Sequence, residues 1–165
     1  MELSVPHLNE RVSAAPGVSP GVVEDSETLL REIFFPYHVQ GGSLQLAAVS
    51  LRELRKTGFS VHRKKHVTFE LVENSIKMRL SRPRKGIAWK IEGLAEILSL
   101  DVRKITGFDN KSLFVIIDTA LEDNPGHASI YAAHPEKGDA YARKIRFHLM
   151  ELLTNVKTLE IIFQQ

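Results

Sequence analysis

Five residues of the stretch GFSVHRKKH, positions 58–66, could do chemistry: His62, Arg63, Lys64, Lys65 and His66. Cations interleaved with rings suit a phosphate backbone, which Lys and Arg neutralise while Phe59 and His62 offer stacking faces. A second basic cluster, SRPRKG at 81–86, adds Arg82, Arg84 and Lys85, and Pro83 and Gly86 mark it as a loop. These six cations are the expected phosphate-contacting residues. His62 and His66 also stand four apart, the spacing that puts two metal ligands on one face of a helix. Gly58 and the β-branched Val61 argue against a helix there, and the intervening lysines repel a divalent ion. No HExxH-like pattern accompanies the pair, so no metal site is expected.

The second polar stretch is LEDNPGHASIYAAHP, from Leu121 to Pro135. Glu122, Asp123, Asn124 and His127 sit in a turn between two expected strands, where polar groups converge at the end of a sheet. The same Asp-Asn-Pro-Gly run is what an ordinary turn requires. Nucleophile elbows, Walker-type phosphate loops and the dinucleotide Gly-x-Gly-x-x-Gly are all missing from the sequence. With no cysteine in the chain, thiolate chemistry and disulfides are excluded.

The net charge of +2 hides a strong asymmetry. Residues 52–90 hold twelve Lys and Arg against Glu53, Glu70 and Glu73, a local balance of +9. The other residues hold ten cations and seventeen anions, a balance of −7. A basic centre between acidic flanks implies an acidic partner: nucleic acid, a phosphorylated ligand, or the chain's own carboxylates.

The elements that must position these residues read as follows. Residues 1–25 carry Pro6, Pro16 and Pro20 and no apolar period, which predicts a flexible N-terminal arm ahead of one domain over 26–165. TLLREIFF (28–35) predicts a strand stopped by Pro36. The segment 43–58 fits either a helical stripe closed by Gly58 or a buried strand. Residues 68–81 predict a helix capped by Thr68, with Phe69, Val72, Ile76 and Leu80 as its apolar stripe. Strands follow within 87–100, at 112–118 and at 127–133, with a helical turn at 102–107. An amphipathic helix over about 140–156 closes the pattern, with Asp139 as its expected cap. Helices and strands mix without strict alternation, so the fold class is α+β with a mixed or antiparallel sheet. Apolar 43% and charged 25% fit a globular domain, and no apolar run approaches the roughly 20 residues of a membrane helix. MELSVPHLNERVSAAPG does not read as a signal peptide, so a cytoplasmic protein without membrane contact is expected.

Several short steps resemble those of a group of small uncharacterised bacterial proteins: Leu29-x-Arg31, Pro36-x-His38, Gly42, Phe59-Ser60-Val61 and Asn124-Pro125-x-His127-Ala128. The resemblance implies a bacterial protein of a defence or mobile-element system and assigns no catalytic residues. The order Arg31, Ser60, Glu122 is also similar to that of ADP-ribosyltransferases, in which Arg holds phosphate, Ser orders the site and Glu binds ribose. The middle Ser-Thr-Ser form and a Glu-x-Glu step are both missing here.

Three functions follow as expectations. The first is a polyanion-binding module or accessory subunit, acting on nucleic acid through residues 52–90 without a cofactor. The second is a nucleotide- or NAD-using enzyme, with Arg31, Ser60, His62, Glu122 and His127 as candidate catalytic residues. The third is an antitoxin- or immunity-type protein that docks on an operon-encoded partner.

Overall fold

A computed structural model describes residues 8–82 and 86–164. Its centre is an eight-residue strand, β1 (Thr28–Phe35), whose residues 29–34 are all buried. β1 ends at a cis Phe35–Pro36 bond, and a two-residue hairpin follows, β2 (Val39–Gln40) and β3 (Ser43–Leu44), turned at Gly41 and Gly42. The segment expected as one helix or strand is neither. A 3-10 turn at Leu46–Ala48 and a π-helical turn at Glu53–Thr57 carry the chain to β4 (Phe59–Arg63). Gly58 closes the π turn at φ +82°, and a Cβ there would lie 2.6 Å from the Ser129 Cβ. Glycine is therefore required on both counts.

Helix α1 (Phe69–Leu80) starts where expected, with the Thr68 side chain accepting from the Leu71 amide. The 87–100 segment gives one strand, β5 (Lys90–Leu98), running directly into the short helix α2 (Ser99–Arg103). β6 (Phe114–Asp118), β7 (His127–Ala132), α3 (Gly138–Glu151), β8 (Val156–Lys157) and α4 (Leu159–Phe163) complete the chain. Asp139 does not cap α3; its carboxylate pairs with Arg55 instead.

The sheet is antiparallel throughout, in the order β6-β7-β4-β1-β5-β8. Register assigns the faces, because directly paired residues point to the same side. Leu29 pairs with Arg63 and Leu30 with His62, while Val61 pairs with Ala128 and His62 with His127. One face thus carries Leu29, Ile33, Phe59, Val61, Ala128 and Ile130. These pack with Val102, Ile145 and Leu149 in the main core, under α2 and α3. The other face carries Leu30, Phe34 and Leu94, packed with Val72, Ile76 and Ile162 under α1 and α4. That second layer sits over β1 and β5. On β4 and β7 the same face presents Ser60, His62, His127 and Ser129 instead of apolar residues.

The described part of the expected N-terminal arm lies along the edge strand β6. The Ala14 amide donates to the Asp118 carbonyl at 2.9 Å, and the Ile116 amide donates to the Glu10 carboxylate at 2.6 Å. Val23 is 4% exposed and belongs to the main core. The strap covers an edge that would otherwise leave ladder groups unpaired. It is anchored through Arg63, which is 1% exposed. The guanidinium grips Glu27 with two hydrogen bonds of 2.7 and 2.6 Å, donates to the Gly21 carbonyl at 2.6 Å, and reaches Asp118 at 3.4 Å. Ser19 also hydrogen-bonds Asp118.

Two stability outcomes follow. Removing one partner of a buried pair leaves a charge without compensation, so Arg63→Ala should lose about 3–5 kcal/mol in urea unfolding. Deleting residues 1–25 should lower the melting temperature by more than about 5 °C, the scale of at least 1 kcal/mol. An unchanged melting temperature in the deletion would mean that the strap contributes nothing to the fold.

Candidate functional site

The uncovered polar half of the sheet face forms the floor of a cavity of about 620 Å³, well within the size range of small-molecule sites. Its walls come from β1, β4, α1 and the turn between β6 and β7. Glu32 organises it. This carboxylate is 2% exposed, and three groups converge on it. His62 Nε2 lies 2.7 Å from Oε1, Ser75 Oγ donates to the same oxygen at 2.7 Å, and Arg79 Nε stands 3.1 Å from Oε2. Burial works to raise the Glu32 carboxyl. The His62 hydrogen bond and the Arg79 charge outweigh it, so the group is held below its ordinary value near 4.5.

An ionised carboxylate only accepts, so His62 Nε2 carries the proton shared with Glu32. Asn124 Nδ2 meets the other ring nitrogen, Nδ1, at 3.0 Å. Both ring nitrogens of His62 are therefore engaged, and the residue is 5% exposed. His127 differs. Its Nδ1 lies 3.0 Å from the Thr119 carbonyl and 2.9 Å from the Thr119 hydroxyl. A carbonyl can only accept, which fixes the proton on Nδ1 and leaves Nε2 with a bare lone pair. Burial, helped by the neighbouring His62 and Arg79, lowers the His127 pKa from its usual 6.5, against the Thr119 hydrogen bond and the Glu32 charge. At neutral pH this imidazole is an uncharged base on the cavity wall.

Gly126 seats the turn that delivers Asn124 and His127. A Cβ there would fall 2.5 Å from Val67 Cγ1 and 2.9 Å from the His66 carbonyl oxygen. Any larger residue would push the turn off the end of β4.

The expected site residues divide sharply. Ser60, His62, His127 and Arg82 line the cavity together. Arg31 points to the opposite face, where it pairs with Glu53 at 2.8 Å and its guanidinium lies 3.9 Å from the Phe59 ring centroid. Glu122 is exposed in the turn and does not line the cavity, so Arg31, Ser60 and Glu122 form no common site. Arg63 is buried in the strap anchor described above. Lys64 pairs with Glu96 at 3.0 Å, and Lys65 with Glu24 at 3.0 Å and Glu27 at 3.4 Å. Arg84 and Lys85 lie outside the described residues. His62 and His66 share no helical face, since His62 lies in β4 and His66 ends a 3-10 turn. Among the described residues no group of three or more His, Asp or Glu could hold a metal ion, and no helix is long and apolar enough to cross a membrane.

Glu32, Ser75 and Thr119 had no place in the sequence reading, and Arg79 entered it only as one of the twelve cations of residues 52–90. One signal was available for Glu32: an Arg-Glu dipeptide inside an otherwise apolar strand run. The chain matches no family model, no curated protein and no solved structure at a significant level.

Glu32→Gln replaces a carboxylate that accepts from His62 and Ser75 and is ion-paired with Arg79 by a neutral amide that holds two donors of its own. It should cost about 1–3 kcal/mol at pH 7, as expected when buried polar groups lose their partner. The stabilisation from a carboxylate with a lowered folded pKa is present above its ordinary value near 4.5 and lost as pH falls through the folded value. Denaturation of the wild type should therefore steepen below about pH 4.5, and the gap between the two proteins should narrow there. A gap that stays constant down to the acid limit would contradict an ionised Glu32.

Proposed function

We propose that the cavity is an active site that binds a small anionic ligand and works on it by general-base catalysis. The observation that carries this reading is His127: a neutral imidazole with its tautomer fixed by Thr119, beside two guanidinium groups on a polar part of the sheet face. In this reading Nε2 of His127 takes a proton from a hydroxyl or a water molecule, and the oxygen so activated attacks the ligand. The imidazolium keeps its Nδ1–H on the Thr119 carbonyl and returns the other proton to the leaving group. Arg79 and Arg82 hold the anion, and Glu32 keeps Arg79 and His62 in place. His62, with both nitrogens engaged, is a positioning residue.

The polyanion reading continues in a narrower form. Arg63, Lys64 and Lys65 have carboxylate partners within the chain, whereas Arg82 is exposed at the cavity rim with Arg84 and Lys85 next in sequence. A phosphate chain approaching the cavity would meet Arg82 at its rim.

Histidine NMR tests the active-site reading. His127 should titrate below 6.5 in chloride buffer. Its charged and titratable neighbours are His62 on β4, Glu32 on β1 and Arg79 on α1. A bound anion favours the imidazolium, so saturating sulfate or phosphate should raise the His127 pKa above its value in chloride. Arg82→Ala should weaken that response. A His127 that titrates like free histidine and ignores every anion would sink the reading.

A further inference from the structure

The cavity offers more than a place for an anion. Arg79 Nε is ion-paired with Glu32, its terminal nitrogens have no protein partner among the described residues, and Arg82 follows three residues later, just past the C-cap of α1. Two forked guanidinium groups present more directed N–H donors than the two oxygens of a carboxylate can use, whereas a tetrahedral phosphate has oxygens for both. Glu32 and Asp123 offset the two positive charges, so geometry, more than net charge, selects the anion. The turn between β6 and β7 asks for something different. Asn124 is 8% exposed, lines the cavity, and its Oδ1 has no hydrogen-bond donor. A buried acceptor of this kind is costly unless a ligand supplies the donor. The exposed carboxylate of Asp123 lines the cavity beside it and also only accepts.

From these two requirements we infer that the ligand is a phosphate monoester that also carries hydroxyl or N–H donors, the chemistry shared by nucleoside and sugar monophosphates. The phosphate lies against Arg79 and Arg82, and the donors meet Asn124 Oδ1 and Asp123. The apolar side chains of Leu71, Met78 and Leu121 line the same cavity and favour the nucleoside. This inference rests on the general-base reading of the site and goes beyond it in naming the ligand class.

Calorimetric titration of the full chain tests it with four probes: adenosine 5′-monophosphate, ribose 5-phosphate, inorganic phosphate and succinate. At least one monoester should bind about tenfold or more tightly than inorganic phosphate, the worth of a hydrogen bond to a charged or buried group. Arg82→Ala, at an exposed position that should leave the fold intact, should weaken both monoesters by about tenfold or more. Asp123→Asn should weaken them while leaving inorganic phosphate unchanged. Preference for the nucleotide assigns the apolar wall to a base, and preference for ribose 5-phosphate assigns the donors to the sugar. Monoesters that bind no better than inorganic phosphate, or no better than succinate, overturn the inference. If succinate still raises the His127 pKa, the general-base reading survives that result; if no probe moves His127, both fall.

Discussion

An adjacent Arg and Glu inside a strand buried on both faces is the constraint from which much of this fold follows. Arg31 and Glu32 point to opposite sides of β1, so each charge must be met within its own layer. An uncompensated buried charge costs several kcal/mol, a large fraction of the stability of a domain of this size. On one side Arg31 is answered by Glu53, which fixes the π-helical turn at Glu53–Thr57 against the main core. On the other, Glu32 is answered by His62, Ser75 and Arg79, which ties α1 to β4 across β1. Two neighbouring residues thus specify where the connecting segments dock. The apolar contacts around them supply the bulk of the free energy without that selectivity.

The cavity is a consequence of how the second layer is distributed. α1 and α4 meet each other and cover the β1–β5 side with Leu30, Phe34, Leu94, Val72 and Ile76. Were they to extend over β4 and β7, Ser60, His62, His127 and Ser129 would be sealed under apolar side chains at a high desolvation cost. The polar strip and the gap in the helical layer therefore require each other. Departures from the apolar pattern at central strand positions are where a fold gives up stability for function.

Local signals in the sequence were strong enough for most elements. Thr68 followed by a four-residue apolar period located α1, and the runs around Ile116 and Ile130 located β6 and β7. The antiparallel α+β architecture follows from such segments. What failed depended on partners far along the chain. Asp139 has the chemistry of a cap, but Arg55 lies 84 residues away and takes it. The 43–58 segment carries a helical stripe that could equally read as a strand, yet its backbone is set by the Arg31–Glu53 pair and by the tight fit at Gly58. The strap has no apolar stripe at all, since backbone hydrogen bonds and single ion pairs hold it. Of the site, His62, Ser60, Asn124 and His127 were recognisable by residue type. Arg79 and Glu32 were not, because nothing local distinguishes a cavity-lining arginine on a helix from a solvated one.

The basic centre between acidic flanks has a partly internal explanation. Arg63 is neutralised by Glu27 and Asp118, Lys65 by Glu24 and Glu27, Lys64 by Glu96, and Arg55 by Asp139. Each pair joins the centre of the sequence to one of its flanks. Charge segregation along the chain is thereby converted into long-range contacts that fasten the N-terminal strap, β5 and α3 around β4 and its neighbours. Exposed members of this set, such as Lys65, add little stability individually. The buried ones define which carboxylate meets which cation, and so bias the register of the assembly. Arg82 stands outside this pairing among the described residues, and Arg79 shares its carboxylate with a histidine and a serine. Among the described residues these two are the positive charges of the centre that line the cavity, where an anion brought from outside would complete the pattern that the chain's own carboxylates supply elsewhere.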